Sequence, residues 1–308
     1  MKKLILLVFF FAFNSKAQVI IEPFTVYHDS IKLSGILSYP ESKKPLPLAL
    51  FIAGSGPIDR DGNYKPMIHA DYAKQLADSL NQRGIAFLRF DKRTFSKENI
   101  RLQPNIGFED LVADVATILK AFEKDNRFKG YHLIGHSQGS LIAMLQKHKK
   151  LKSFISLSGP ARPMDAILIT QITQQSKELA AIAKTHIEEL QQTDTIKEVN
   201  PLLLSLFAPQ NQKFIKSWMA FDPQEEIKKV NLPTLILNGD LDIQVPVEEA
   251  KLLKAAQPKA TLLLLENTTH TLKEVTRAHQ QLATYTDPKY PLSNNLVLAL
   301  EKFIKSNE

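Results

Sequence analysis

The chain of 308 residues is 44% hydrophobic and 23% charged, carries a formal charge of +7 and contains no cysteine. These proportions exclude collagenous, coiled-coil and disordered classes, and the length suits one domain with an insertion. The missing thiol excludes disulfides, a lipid-bearing cysteine and a cysteine nucleophile.

The chain opens on MKKLILLVFFFAFNSKAQ: Lys2 and Lys3, an apolar run from Leu4 to Phe13, then the small residues Ser15 and Ala17. This pattern predicts a signal peptide over residues 1–17, cleaved after Ala17, and an exported protein, periplasmic or extracellular. The apolar run, rising about 1.5 Å per residue, reaches only about halfway through a bilayer core, so no stable membrane span is expected once the leader is removed. Loss of Lys2, Lys3 and Lys16 lowers the formal charge to +4. The remaining basic residues, such as Lys147, Lys149, Lys150 and Lys152, lack the aromatic interleaving of single-strand binders, and no nucleic-acid partner is expected.

Val19 to Tyr27 and Ile31 to Ser38 alternate around the turn-prone His28, Asp29 and Ser30, which predicts an antiparallel hairpin at a sheet edge. Short apolar runs without alternation follow: 46–54, 85–90, 131–135, 154–159, 234–239 and 261–266. Such runs suit strands buried on both faces, as in a parallel sheet. Helical spacing lies between them over Asp71–Arg83, Phe108–Phe122, Leu141–Lys147, Val247–Ala256 and Leu296–Ile304. The alternation predicts an α/β fold, a mostly parallel central sheet flanked by helices. Residues 160–231 break the rhythm, holding no convincing strand, and read as a helical cap insertion of three or four helices separated at Pro201, Pro209 and Pro223. The core then comprises residues 18–159 and 232–308.

Within LIGHSQGS, residues 133–140, Gly135, Ser137 and Gly139 spell G-x-S-x-G between an apolar strand and a helical run. That context turns a common string into a nucleophile elbow, with glycines admitting a turn too tight for side chains. A serine hydroxyl needs a base to take its proton, and the base needs a carboxylate to hold its tautomer. Asp240 and Asp242 follow the strand TLILNG, and His270 follows the next strand, both where loops leave the carboxyl ends of parallel strands. Other histidines fit less well: His136 lies inside the elbow with its side chain expected to turn away, His132 in a buried strand, His28, His148 and His186 on a turn and helix faces, and His279 in a helical stretch. His69 reads as the beginning of a helix.

The chain resembles the α/β-hydrolase superfamily, in a secreted serine-hydrolase, esterase-like branch with a helical cap. The resemblance runs over nearly all the mature chain and rests on AGSGPIDRDGN, RFDKRT, GHSQG, NGDLDIQVP and NTTHTL. It implies that the acid of a G-x-x-D pattern is Asp242, counted from Gly239, with Asp240 in reserve. It implies an oxyanion hole made by the backbone N–H of Gln138 and that of Ser55, nominated by Gly54 in the loop after the strand ending LFIAG. A histidine-glycine pair common in relatives is absent there, but the donor is main chain. Asp91, Lys92 and Arg93 stand where relatives carry Asp-x-Arg-Gly, with Thr94 replacing the glycine, and read as an ion-paired loop bracing the nucleophile turn.

Asp59, Asp61 and Asn63 invite a calcium reading that fails on spacing, since Tyr64 and Ala70 occupy the glycine and glutamate positions of an EF-hand loop. No metal and no cofactor is expected. The activity implied is hydrolysis of a small-molecule ester or acyl substrate through an acyl-enzyme on Ser137. An acyltransferase, a peptidase with the same triad and a non-catalytic binding protein are the alternatives. Cap residues Ile167, Ile169, Ile172, Leu179, Leu203, Leu206, Phe207 and Trp218 either enclose an acyl group or simply pack helix on helix.

Overall fold

The computed structural model describes residues 18–308, so the expected leader lies outside the described residues. Strands β1 (Val19–His28) and β2 (Ile31–Pro40) form the anticipated hairpin, in register from Val19 opposite Pro40 to His28 opposite Ile31. Its turn passes through Asp29 at φ 52°, a left-handed conformation that aspartate tolerates better than most residues. β3 (Leu46–Ile52), helix α1 (Tyr72–Asn81) and β4 (Ala86–Phe90) follow. Next comes α2 (Lys97–Leu102), one short turn capped by the Ser96 side chain and too brief to show a periodic apolar face.

Helix α3 (Phe108–Ala121) buries Leu111, Val115, Ile118 and Leu119, the stripe its spacing predicts. β5 (Phe128–His136) runs straight into α4 (Gln138–Met144), and β6 (Leu151–Leu157) closes this half. After the helical stretch come β7 (Thr234–Gly239), a later helix over Val247–Ala256, β8 (Thr261–Leu265) and a terminal helix over Asn294–Ser306.

The eight strands form one sheet in the order β1-β2-β4-β3-β5-β6-β7-β8, with β2 antiparallel to both neighbours and every later pairing parallel. One apolar layer packs α3 and α4 on one face through residues such as Phe108, Val115 and Leu141. The other packs α1 and the terminal helix through Leu76, Leu80, Leu296 and Leu300. Burial of this kind contributes about 25 cal/mol per Å² of apolar surface and explains why the strands read as unbroken apolar runs. β8 departs from that reading: as an edge strand it leaves Leu263 39% and Leu264 38% exposed.

The interval 160–231 contains five helices instead of three or four: α5 (Met164–Gln175), α6 (Lys177–Thr193), α7 (Leu204–Phe207), α8 (Pro209–Met219) and α9 (Pro223–Lys228). The prolines do not merely separate helices. Pro209 and Pro223 open α8 and α9, and Pro201 opens a 3-10 turn before α7, positions where a missing N–H costs nothing. The remaining two helices are then α10 (Val247–Ala256) and α11 (Asn294–Ser306). The helical stretch enters from β6 through Pro160 to Arg162 and returns to β7, the adjacent strand. Its entry is held by the buried carboxylate of Glu249 on α10, which accepts from the amides of Ala161 at 2.8 Å and Arg162 at 3.0 Å and from Arg162 Nε at 2.6 Å. Among the described residues no helix is long and apolar enough to cross a membrane.

Candidate active site

Because β3, β4, β5, β7 and β8 run parallel, the loops leaving their carboxyl ends converge on one edge of the sheet. Those loops carry Ser55, Lys92, Ser137, Asp242 and His270 in turn. Ser137 sits between β5 and α4 at φ 54° and ψ −123°, a conformation an L-residue adopts only under constraint from its surroundings. Its N–H donates to the Leu157 carbonyl at 2.9 Å, tying the turn to β6.

Gly135 and Gly139 are required here for closeness, not for unusual torsions, since neither has a positive φ. A Cβ on Gly135 would lie 2.3 Å from the Gly139 carbonyl oxygen, and one on Gly139 would lie 2.1 Å from that of Ile52. Those contacts are with backbone, so no rotamer change relieves them. The expectation that the glycines serve a tight turn is thus refined: they let β5, α4 and the end of β3 touch.

Asp242, the acid that the resemblance implied, meets His270, with Nδ1 2.8 Å from Oδ2. The other carboxylate oxygen accepts the amides of Gln244 and Val245, both at 2.9 Å. Burial works to raise the Asp242 carboxyl, but the charge and hydrogen bond of His270, helped by the Val245 amide and the Ser158 hydroxyl, hold it below the usual carboxylate range. Asp240, the reserve acid, is exposed and does not meet His270. The two loops are pressed together at Gly239, where a Cβ would lie 2.0 Å from the Thr268 carbonyl oxygen, and Leu241 N donates to that oxygen at 3.1 Å.

The Ser137 hydroxyl is not hydrogen-bonded to His270 in this structure, but the two loops are linked through the neighbouring residue. The His136 ring makes no hydrogen bond to the hydroxyl, and its Nε2 donates to the His270 carbonyl at 2.9 Å, with the two rings 4.7 Å apart. Burial, followed by the charge of His270, pushes the His136 ring down to about 3, so it stays neutral. The ring beside His270 therefore carries no positive charge. The sequence sets His136 inside the elbow but carries no signal for what its ring holds.

Ser55, Ser137 and Gln138 lie on the floor of a cavity of about 530 Å³. The Gln138 amide is the first of α4, where helical N–H groups have no partner within the helix. Met164, Ile167, Leu206, Phe214 and Trp218 roof the cavity from the helical stretch, and Ile100 and Ile106 wall it from α2 and the segment after it. Of the eight apolar residues singled out in the insertion, Ile167, Leu206 and Trp218 line the cavity. Ile172, Leu203 and Phe207 lie instead in the core of the helical stretch, with Ile169 and Leu179 packed against it. The contribution of α2 went unread because that helix is too short to announce itself.

The other candidates fall elsewhere. His132 is buried in β5 against Ser153 at 2.8 Å, and His28 meets Asp114 at 2.9 Å. His148 lies in a turn beyond α4 rather than on a helix face, and His279 is exposed in a short 3-10 turn. His69 precedes α1 by three residues instead of beginning it. The carboxylates of 59–63 have protein partners: Asp59 accepts from the amides of Asp61 and Asn63, and Asp61 pairs with Arg89 at 2.9 Å.

In the Asp91-Lys92-Arg93 loop the flanking residues are ion-paired as expected, Asp91 with Arg60 and Arg93 with Asp114 at 2.6 Å. Lys92 is different. It is buried and contacts no carboxylate, and its Nζ donates to the Gly54 carbonyl at 2.6 Å and to Gln138 Oε1 at 2.7 Å.

A family model described as serine aminopeptidase, S33, matches residues 67–274. Esterase EstD of Thermotoga maritima is 26% identical over 222 residues, which are 71% of this chain and 52% of that protein, so the match spans about half of the relative's length. Among solved structures, Est1E from Butyrivibrio proteoclasticus superposes with a TM-score of 0.60 at 17% identity, over 92% of this chain and 98% of that one. The Pyrococcus furiosus esterase Pf2001 does so with a TM-score of 0.60 at 16% identity, over 94% and 91%. At these identities the structural likenesses speak for the fold.

Proposed function

The chain belongs to the serine aminopeptidase S33 family, within the α/β-hydrolase superfamily, and on that premise we propose that it is an exported serine hydrolase that cleaves carboxylic esters. Ser137 attacks the acyl carbon while His270 takes its proton, and the alkoxide leaves with that proton. Water then attacks the acyl-enzyme, giving a proton to His270, which passes it to Ser137 Oγ as the acyl–oxygen bond breaks and the acid is released. Asp242 holds His270 with its proton on Nδ1, and the amides of Ser55 and Gln138 receive the charge of the tetrahedral intermediate. The observation that carries this reading is the Asp242–His270 pair at 2.8 Å, tied by His136 to the elbow that presents Ser137 to the cavity.

The esterase names of the relatives support the same chemistry, and the cavity walls favour it over an aminopeptidase reading. An aminopeptidase substrate presents a free ammonium, which in a largely apolar pocket needs an anion to offset its desolvation. The charged residues lining this cavity are Lys92, Arg93 and Arg162, with no carboxylate among the lining residues. Arg93 and Arg162 are already paired with Asp114 and Glu249, so the lining offers an ammonium no free anion, and neutral esters fit it. The leader over residues 1–17 supports export, with Gln18 as the mature N-terminus.

A fluorophosphonate probe and p-nitrophenyl esters of increasing chain length test the proposal on the mature protein. Labelling and turnover are expected in the intact protein and are lost in Ser137→Ala. Turnover that survives the substitution removes Ser137 from the mechanism. Mass measurement of the secreted form checks cleavage after Ala17.

A further inference from the structure

Lys92 is the residue whose chemistry the scheme above leaves unused. It follows β4, is 5% exposed and faces the cavity beside Ser55, Ser137 and Gln138. Its side-chain partners are both neutral oxygens, the Gly54 carbonyl and the Gln138 amide. Asp114, the acid whose charge acts on Lys92, is committed to Arg93 and His28, and Asp91, its neighbour in sequence, to Arg60. A cation buried without a carboxylate is costly, and an apolar residue of similar length would fill the same space more cheaply. Burial pushes the Lys92 ammonium down to about 7, a measure of how strongly the site resists the charge.

The position of its two partners gives the ammonium a use. Gly54 C=O and Ser55 N–H are the two ends of one planar peptide group. A strong donor on the oxygen withdraws electron density through the amide, strengthens the N–H as a donor and stops the plane from rotating. The second bond holds the Gln138 side chain, at the residue whose own amide opens α4. One side chain therefore reaches both arms of the oxyanion hole from behind.

We propose that Lys92 is a positioning residue that orients and polarises the Gly54–Ser55 peptide and steadies Gln138, so that both amides are set for the negative charge that develops on the substrate oxygen. This inference rests on the serine-hydrolase reading above. Lys92 touches neither the acyl carbon nor the leaving group; it acts through the two amides. No bond between Lys92 and the substrate forms or breaks, and Nζ keeps at least two N–H donors for its two acceptors whether or not it carries the third proton.

Lys92→Met, which keeps the stem and removes the donors, is the direct test, with Lys92→Gln as the variant that retains a donor. Loss of a single oxyanion donor costs about 100- to 1000-fold in kcat, so loss of its alignment is expected to lower kcat about 10- to 100-fold while KM on p-nitrophenyl esters stays within about twofold. The inhibition constant of a boronic acid, which mimics the tetrahedral adduct, rises in step with that loss. Lys92→Gln recovers part of it. Wild-type kcat in a folded Lys92→Met protein overturns the proposal, and so does a loss carried by KM or one that leaves boronic acid affinity unchanged. If the Met variant fails to fold by circular dichroism, Lys92→Gln decides by the same split: a kcat loss matched by weaker boronic acid binding supports it, and wild-type kcat overturns it. Wild-type protein inert to both ester and fluorophosphonate overturns this inference together with the serine-hydrolase reading, whereas active wild type with an indifferent Lys92 overturns this inference alone.

Discussion

Asp242→Asn is the substitution for which the structure dictates the outcome most tightly. Oδ1 accepts two backbone amides at 2.9 Å, and Oδ2 accepts His270 Nδ1 at 2.8 Å. An asparagine is nearly isosteric, but its oxygen must stay with the two amide donors, because an NH2 placed against them would set donor on donor. The NH2 then faces His270 and requires an acceptor there. Nδ1 gives up its proton, the proton resides on Nε2, and the nitrogen that should receive the Ser137 proton is already occupied. The wrong tautomer of a serine-hydrolase histidine costs about 10⁴ in kcat, equivalent to about 5 kcal/mol at 1.36 kcal/mol per decade. Steady-state turnover of a p-nitrophenyl ester measures it, with circular dichroism confirming that the fold persists. Asp240→Asn, at an exposed carboxylate, stays within about twofold of wild type, as surface changes usually do. Asp242→Asn activity within tenfold of wild type, or a collapse of activity in Asp240→Asn instead, would refute the reasoning.

Gly135→Ala drives a Cβ into the Gly139 carbonyl oxygen at 2.3 Å and is expected to abolish activity and destabilise the fold by several kcal/mol. Gly84→Ala meets nothing within 4 Å but holds φ at 81°, so thermal denaturation should show a loss of only about 1 to 2 kcal/mol. Lys92 also predicts a pH dependence of stability: with its folded value lowered to about 7, the unfolded chain binds the proton more tightly between about pH 7 and pH 10, so stability rises with pH across that window. Urea unfolding at pH 7 and pH 9 should register an increment on the order of 2 kcal/mol in wild type that Lys92→Met lacks. Trp218, stacked on Phe108 at 5.6 Å and lining the cavity roof, should matter to bulky acyl groups: Trp218→Ala lowers kcat/KM for a long or aromatic ester about tenfold relative to the acetate.

What the sequence disclosed followed from how strongly each feature is dictated locally. β7 and α10 fall where apolar runs and helical spacing place them, and the order of Ser137, Asp242 and His270 led to loops that share one sheet edge. β8 was read as buried on both faces because an apolar pentapeptide looks the same at the centre of a sheet as at its rim; only the strand order distinguishes them. The helix count in 160–231 came out low because α7 and α9 are too short to show periodicity, although the prolines marked their neighbourhood. The side-chain roles of His136 and Lys92 were beyond reach for a different reason: each reaches across to a backbone carbonyl, His136 to one 134 positions away in sequence and Lys92 to one 38 away. Such an encounter leaves no trace in local composition.

The helical stretch leaves β6 and rejoins β7, strands that already lie side by side, and its first residues are clamped by a single acid of α10. It thus hangs from a fixed mount, like a lens on a camera body. A roof of different length or chemistry, spliced in beyond Arg162 and ending before Pro223, would leave Glu249, the elbow, His270 and the core residues Ile227 and Val230 where they stand. On the proposed function, what the molecule accepts can then be retuned in the roof without moving Ser137, Asp242 or His270.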